Sequence, residues 1–352
     1  MRAKNSKTKD PLFIRACFRK PTERAPVWIM RQAGRYLPEY RKIREKTTFL
    51  NLCKTPELAA AVTLQPVEIL KVDAAIIFSD ILLIPEAMGL RLSIKEKEGP
   101  RLAPPIQKTA QIKTLRSPRP EKAYDFLGKT IRTVRACLNG GVPLIGFAGS
   151  PWTLLAYMVE GGGSRDFARV KRFLYEQPKA AHQLLSRLAD AVTESLNYQI
   201  ECGAQAVQIF DSWGGILAAA DFQEFSLHYA KRVIQGLRRK DVPVIFFAKG
   251  TGSQLKKIVS CGADVVSLDW TVDLKWARKV AKGKVALQGN LDPCLLYCSP
   301  RRIREAVRET LEKAGKAPGY IFNLGHGILP DTPPENARYL VRVVKEESFH
   351  MT

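Results

Sequence analysis

The feature that most constrains this chain is a rhythm of short apolar runs set between stretches of helical pattern. Eight runs occur in order: VWIM at 27–30, AAIIF at 74–78, PLIGF at 143–147, AVQIF at 206–210, VPVIFF at 242–247, DVVSL at 264–268, KVALQ at 284–288 and YIFNL at 320–324. Each is rich in β-branched or aromatic residues and too short for a typical helix. None alternates strictly between apolar and polar, which suits parallel strands buried on both faces. Helical periodicity fills the gaps, in TPELAAAVTLQPVEILKV, PKAAHQLLSRLADAVTESLNYQIECGA, DFQEFSLHYAKRVIQGLRRK and SPRRIREAVRETLEKAGKAPG. Pro56 stands near one helix start, Asp221 reads as an N-cap, and glycine closes the last stretch.

Eight strand–helix units predict a (β/α)8 barrel, the TIM-barrel form of the α/β class. A doubly wound sheet is the alternative, because counting strands does not show that a sheet closes. Residues 89–105, GLRLSIKEKEGPRLAPP, break the repeat and read as a small hairpin or excursion after the second strand. No linker divides the chain. One domain is therefore expected over 11–352, with an elaborated loop after strand two, behind a disordered basic arm at 1–10.

Composition bounds the function. No window reaches the roughly 18 uninterrupted apolar residues of a membrane span. The N-terminus, MRAKNSKTKD, is basic but lacks the apolar core of a secretory signal. The seven cysteines, at 17, 53, 137, 202, 261, 294 and 298, include no CxxC. Cys294 and Cys298 form a CxxxC, a weak metal signal. Reduced thiols in the cytoplasm are the simplest expectation. A net charge of +22 invites nucleic acid as a partner. The charge is spread over the whole chain, however, which favours a solvated Lys/Arg surface or an affinity for acidic substrates.

In a barrel, function gathers where strands exit. Run one leads into Arg31, Gly34 and Arg35. Run two leads into Ser79 and Asp80, and run three into Gly149, Ser150 and Trp152 with Tyr157 beyond. Run four gives Asp211, Ser212 and Trp213, and run five Lys249 and Gly250. Run six gives Asp269, run seven Gly289, Asn290 and Asp292, and run eight Gly325, His326 and Gly327. Each has a plain structural reading. Asp80, Asp211 and Asp221 can cap helices. His326 can be a satisfied loop histidine, Tyr157 a core aromatic, and Asn290 and Asp292 turn residues. EGGGSRD at 160–166 reads as a phosphate cradle or as a mobile lid.

The combination points further. Arginine presents a planar fork that matches a carboxylate or phosphate in two parallel hydrogen bonds. Glycine lets a backbone approach a ligand closely. Arg31 and Arg35 flank QAG, and Gly34 and Pro38 weaken any helix through them. The stretch is built for an anion with more than one negative group. There is no GxxxxGK[ST], no GxGxxG in a βα turn and no GxSxG. The histidines at 182, 228, 326 and 350 show no HExxH or His-x-Cys set. Nucleotide and metal chemistry are disfavoured.

Seven stretches together resemble the uroporphyrinogen decarboxylase family of tetrapyrrole (haem) biosynthesis. They are PVWIMRQAGRYLPEYRKIRE, FSDILLIPEAMGL, GFAGSPWTLLAYMVEGGGSRDF, QIFDSWGG, FFAKG, QGNLDP and NLGHGILPDTPPEN, spread over about 26–336. The resemblance implies a (β/α)8 barrel, a homodimer, and no metal or organic cofactor. It implies uroporphyrinogen as substrate, a macrocycle of four pyrroles carrying four acetates and four propionates. The acetates are decarboxylated to methyl groups, giving coproporphyrinogen. By the same resemblance Arg31 and Arg35 bind carboxylates beside the backbone of Gln32, Ala33 and Gly34, with Arg44 a further contact. Asp80 faces the pyrrole N–H groups, and Tyr157, Ser212 and His326 complete the pocket. Catalysis would rest on Asp80, Arg31, Tyr157 and His326. No nucleic-acid partner is implied. The related zinc-dependent barrel methyltransferases carry a His-x-Cys pair late in the barrel; here the corresponding strands end in FFAKG and NLGHG.

Overall fold

The computed structural model describes residues 10–95 and 99–349. The basic arm expected at 1–10 lies, apart from Asp10, outside the described residues.

Seven strands form one parallel sheet. They are β1 (Ala75–Ile76), β4 (Leu144–Gly149), β5 (Ala206–Asp211), β6 (Val244–Ala248), β7 (Val265–Ser267), β8 (Ala286–Gln288) and β9 (Tyr320–Ile321), hydrogen-bonded in chain order. The remaining strands, β2 (Arg91–Lys95) and β3 (Gly99–Ala103), make the antiparallel hairpin expected after the second run. Long helices connect the parallel strands, among them Pro56–Leu70, Pro178–Glu201 and Pro300–Ala314. Each of these three opens with proline at its first position, where the missing N–H costs nothing. Gly315 ends Pro300–Ala314 with φ +69°. Asp221 departs from expectation: Ala218 caps that helix, and Asp221 lies inside it.

The architecture is of the TIM-barrel type, but the ladder is not continuous around it. The run at 27–30, expected as the first strand, forms only an isolated parallel bridge, Val27 to Phe322. Its hydrogen bonds explain why. Val27 N–H goes to the Asp73 carboxylate at 2.9 Å, and the Val27 carbonyl accepts the Asp73 N–H at 2.8 Å. Ile29 N–H goes to the Gln32 side chain at 3.1 Å, and Met30 N–H to the Asn323 side chain at 2.9 Å. Side-chain oxygens have taken the places that ladder carbonyls would hold, so the backbone is satisfied without being a strand. The run still lies between the ends of the sheet. Trp28 is fully buried and donates its indole N–H to Gln288 on β8 at 2.9 Å, and Gln288 in turn bonds Ser267 on β7.

Candidate active site

The RQAG stretch is a loop, as Gly34 and Pro38 predict; helix begins only at Pro38. Arg31 sits in the left-handed region, φ +63°. That conformation costs a non-glycine residue about 1–3 kcal/mol and persists where surrounding structure imposes it. Gln32 does much of the imposing. It is fully buried, its side chain joins the Ile29 N–H to the Ala74 carbonyl, and its own carbonyl accepts the Tyr36 hydroxyl at 2.7 Å. Gln32 N–H is bonded to the Ile29 carbonyl. Each of its polar groups thus makes one bond that shapes the loop. Ala33 and Gly34 are half-buried, and a Cβ on Gly34 would stand 3.0 Å from the Arg31 carbonyl. Arg31 and Arg35 are exposed, and neither forms an ion pair among the described residues. The Arg35 carbonyl accepts from Arg41 at 2.9 Å. Arg44 donates to the Thr47 carbonyl, and its charge reaches Cys53 together with that of Asp80.

Three sequence-predicted residues, Asp80, Tyr157 and His326, come together around Arg31. Its charge is felt by Asp80, Tyr157 and His326, and the charge of Asp80 is felt by Tyr157. Asp80 accepts the Leu82 N–H at 2.8 Å, so it does cap a turn as the plain reading allows. Burial raises its carboxyl above the usual range, while that N–H and Arg31 pull it back. Burial also raises the Tyr157 phenol. The Tyr157 ring meets Trp213 at 6.0 Å. His326 is lowered to about 4 by burial, Arg31 and Lys249, so the imidazole is neutral near pH 7. Its ring lies 6.1 Å from Phe247 and 6.4 Å from Trp270. Ser212 is half-buried between Asp211 and Trp213 at the end of β5.

The flanking glycines fit tight approaches. A Cβ on Gly325 would strike the Trp270 nitrogen at 2.3 Å, and one on Gly327 would strike the Arg31 side chain at 2.3 Å. The sequence GHG thus seats His326 between the loop after β7 and the arginine. The run after Glu160 has a different use. Gly162 bridges Arg101 on the hairpin, the Gly161 carbonyl accepts the Leu102 N–H at 3.0 Å, and a Cβ on Gly162 would come 2.9 Å from the Pro100 carbonyl. Gly161 and Gly162 therefore pack this segment against the hairpin.

Other strand-end residues are structural. Asn290 holds the Asp269 and Val272 carbonyls at 2.8 and 2.7 Å, and Asp292 caps the short helix Pro293–Tyr297. Asp211 accepts the hydroxyls of Ser150, Thr153 and Ser226 at 2.7, 2.8 and 2.5 Å. Ser150 also caps Pro151–Glu160, the helix that carries Tyr157. Lys249 and Trp270, to which sequence reasoning gave no role, stand beside His326. Their only signal was position after a strand. Among the described residues no cluster of three His, Cys, Asp or Glu side chains is placed to hold a metal ion, and no helix is long and apolar enough to cross a membrane.

Comparison with known proteins places the chain in a family. Residues 8–347 match the family model described as uroporphyrinogen decarboxylase (URO-D). The uroporphyrinogen decarboxylase of Magnetococcus marinus is 52% identical over 343 residues, covering 96% of each chain. That of Methylococcus capsulatus is 52% identical over 346 residues, covering 97% of this chain and 99% of its own. Among solved structures, a methyltransferase from Methanosarcina mazei superposes with a TM-score of 0.80 over 96% of this chain and 99% of its own, at 20% identity, a likeness of fold alone. By sequence along nearly its whole length, this chain belongs to the uroporphyrinogen decarboxylase family.

Proposed function

We propose that this chain is a carboxy-lyase that converts the four acetates of uroporphyrinogen to methyl groups, giving coproporphyrinogen. The observation that carries the reading is that, among the described residues, Arg31 and Arg35 form no ion pair and Asp80, within the field of Arg31, receives one hydrogen bond. An octa-anionic macrocycle complements both: carboxylates for the arginines, pyrrole N–H groups for the aspartate.

The chemistry needs a place for two electrons. A proton added to a ring carbon makes the pyrrole cationic. The bond between the acetate methylene and its carboxylate then breaks, its electron pair enters the ring system, and CO₂ departs. A proton added to the exocyclic carbon forms the methyl, and loss of the ring proton restores the pyrrole. The net change is one carboxylate and one proton converted to C–H and CO₂. Asp80, ionised and hydrogen-bonded to the pyrrole N–H groups, steadies the cation electrostatically. Burial raises Asp80, and donors on the substrate oppose that rise by favouring the charged form. Arg31 fixes a carboxylate beside it. Tyr157, with its raised pKa, and neutral His326 act as hydrogen-bonding groups rather than as acids. Ser212 adds a hydroxyl to the wall. Because the substrate is its own electron sink, no metal or organic cofactor enters the scheme.

The same reading takes 11–352 as one domain, active as a homodimer in the cytoplasm, which light scattering and cell fractionation would check. The direct test is anaerobic incubation of the purified protein with uroporphyrinogen III without added metal or cofactor. Products are oxidised and separated by carboxylate number. Stepwise seven-, six-, five- and four-carboxylate species are expected. Folded protein that leaves only the eight-carboxylate starting material would overturn the reading.

A further inference from the structure

Lys249 follows β6 at the strand-end face that carries Asp80, Tyr157 and His326. Its ammonium lies 5.5 Å over the Trp270 ring, and that ring meets His326 edge-on at 6.4 Å. The three side chains form one continuous wall. Trp270 is 39% exposed, so part of its ring faces solvent.

The root of Lys249 is clamped on both sides. Its N–H donates to the Asp211 carbonyl at 3.1 Å, and the next N–H, of Gly250, donates to the Asp269 carboxylate at 2.6 Å. Gly250 takes φ +71°, and a Cβ on Gly215 would stand 2.6 Å from the Lys249 carbonyl. Side-chain charges nearby are already engaged. Asp269 accepts Gly250, the Thr271 N–H and the Thr271 hydroxyl, while Asp211 accepts three hydroxyls. Lys249 has no carboxylate partner among the described residues. A cation with a firmly held backbone, seated on an aromatic face beside two acids, Asp211 and Asp269, whose oxygens are already engaged, is suited to an anion from outside the chain. Its charge also helps to keep His326 neutral.

We propose that Lys249, seated on Trp270, is a second carboxylate subsite of the pocket that holds a side chain of the substrate that does not react. The indole supplies an apolar wall for that side chain's methylenes. The proposal rests on the decarboxylase reading above. It identifies the ligand as a propionate, because propionates persist through all four decarboxylations whereas the acetates disappear one by one.

The test compares the full chain with Lys249→Met and Lys249→Arg. Thermal melts confirm folding, turnover is followed with uroporphyrinogen III, and anaerobic equilibrium dialysis gives affinity for coproporphyrinogen III. Lys249→Met is expected to raise KM roughly tenfold, equivalent to about 1.4 kcal/mol, with kcat within about twofold. Lys249→Arg recovers most of the loss. Affinity for coproporphyrinogen, which keeps only propionates, falls by the same factor. Unchanged KM and affinity in Lys249→Met would overturn the subsite, as would loss of kcat with KM intact. Weaker binding of uroporphyrinogen alone would overturn the assignment to a propionate. Wild-type turnover in the same experiment judges the decarboxylase reading separately, and the dialysis arm reads Lys249 without requiring turnover.

Discussion

Asp80 and Asp211 look alike. Each follows an apolar strand run, and burial raises each above the ordinary carboxylate range. Their partners separate them. Asp211 is fully buried and receives three hydroxyls, from Ser150, Thr153 and Ser226, which tie the ends of β4 and β5 to the turn at Phe222–Leu227. Asp80 receives one N–H, from Leu82, and the field of Arg31. A carboxylate offers about four acceptor sites. Asp211 has most of its capacity filled by the protein and acts as a cross-link. Asp80 keeps most of its capacity for a ligand. The two acids therefore differ in internal satisfaction, and the proposed function places the less satisfied one in the chemistry.

The largest effect should come from Asp80→Asn. Loss of the charge that steadies a cationic intermediate is expected to lower kcat by about a thousandfold, the upper range for removing one electrostatic stabiliser. The melting temperature should hold or rise, because a neutral amide no longer carries the burden of burying a charge. Steady-state turnover and thermal melts on the same preparation decide it. Wild-type turnover in this variant would break the comparison at its centre.

Asp211→Ala should do the reverse. Three buried hydroxyls lose their acceptor, and each unsatisfied group costs about 1–3 kcal/mol where it cannot find another. Melting should fall by several degrees. Turnover per folded molecule should drop only modestly, through loosening of the helix that carries Tyr157. A variant that melts like wild type yet is inactive would place Asp211 in the chemistry instead.

The sequence makes the strand rhythm plain, because parallel strands buried on both faces must be short, apolar and β-branched. Seven of the eight runs contain strands of the parallel sheet. The run at 27–30 has the same composition, but three of its four N–H groups are captured by side chains, including that of Asn323, far away in the chain. No local pattern encodes that. The arginine loop and the GHG turn were legible as motifs, since tight approach demands glycine. Gln32 was legible as part of the motif but not as the brace that shapes it. The contrast between Asp80 and Asp211 was illegible: it depends on hydroxyls brought by two separate segments. The packing role of the glycines at 161 and 162 was illegible, because a close-packing glycine and a phosphate-binding glycine look identical until the neighbouring hairpin is in place.

The smallest effect is a pH signature that sharpens the comparison within the site. His326 is lowered from 6.5 to about 4 by burial, Arg31 and Lys249, against the opposing charge of Asp269. Between those values the unfolded chain binds a proton that the folded chain refuses. Stability from this group is therefore present above about pH 6.5 and is lost as pH falls toward 4. Asp80 has the opposite sign: raised above 3.8, it keeps its proton in the fold at pH values where the unfolded chain has released it. Its contribution to stability falls as pH rises through that interval. Melts of wild type, His326→Gln and Asp80→Asn across pH 4–7 should therefore diverge in opposite senses. Wild type should lose ground to His326→Gln on acidification and to Asp80→Asn on returning toward neutrality. Parallel curves for all three would mean that neither group titrates differently on folding, and burial, the first cause of both shifts, would then not distinguish the folded from the unfolded chain at this site.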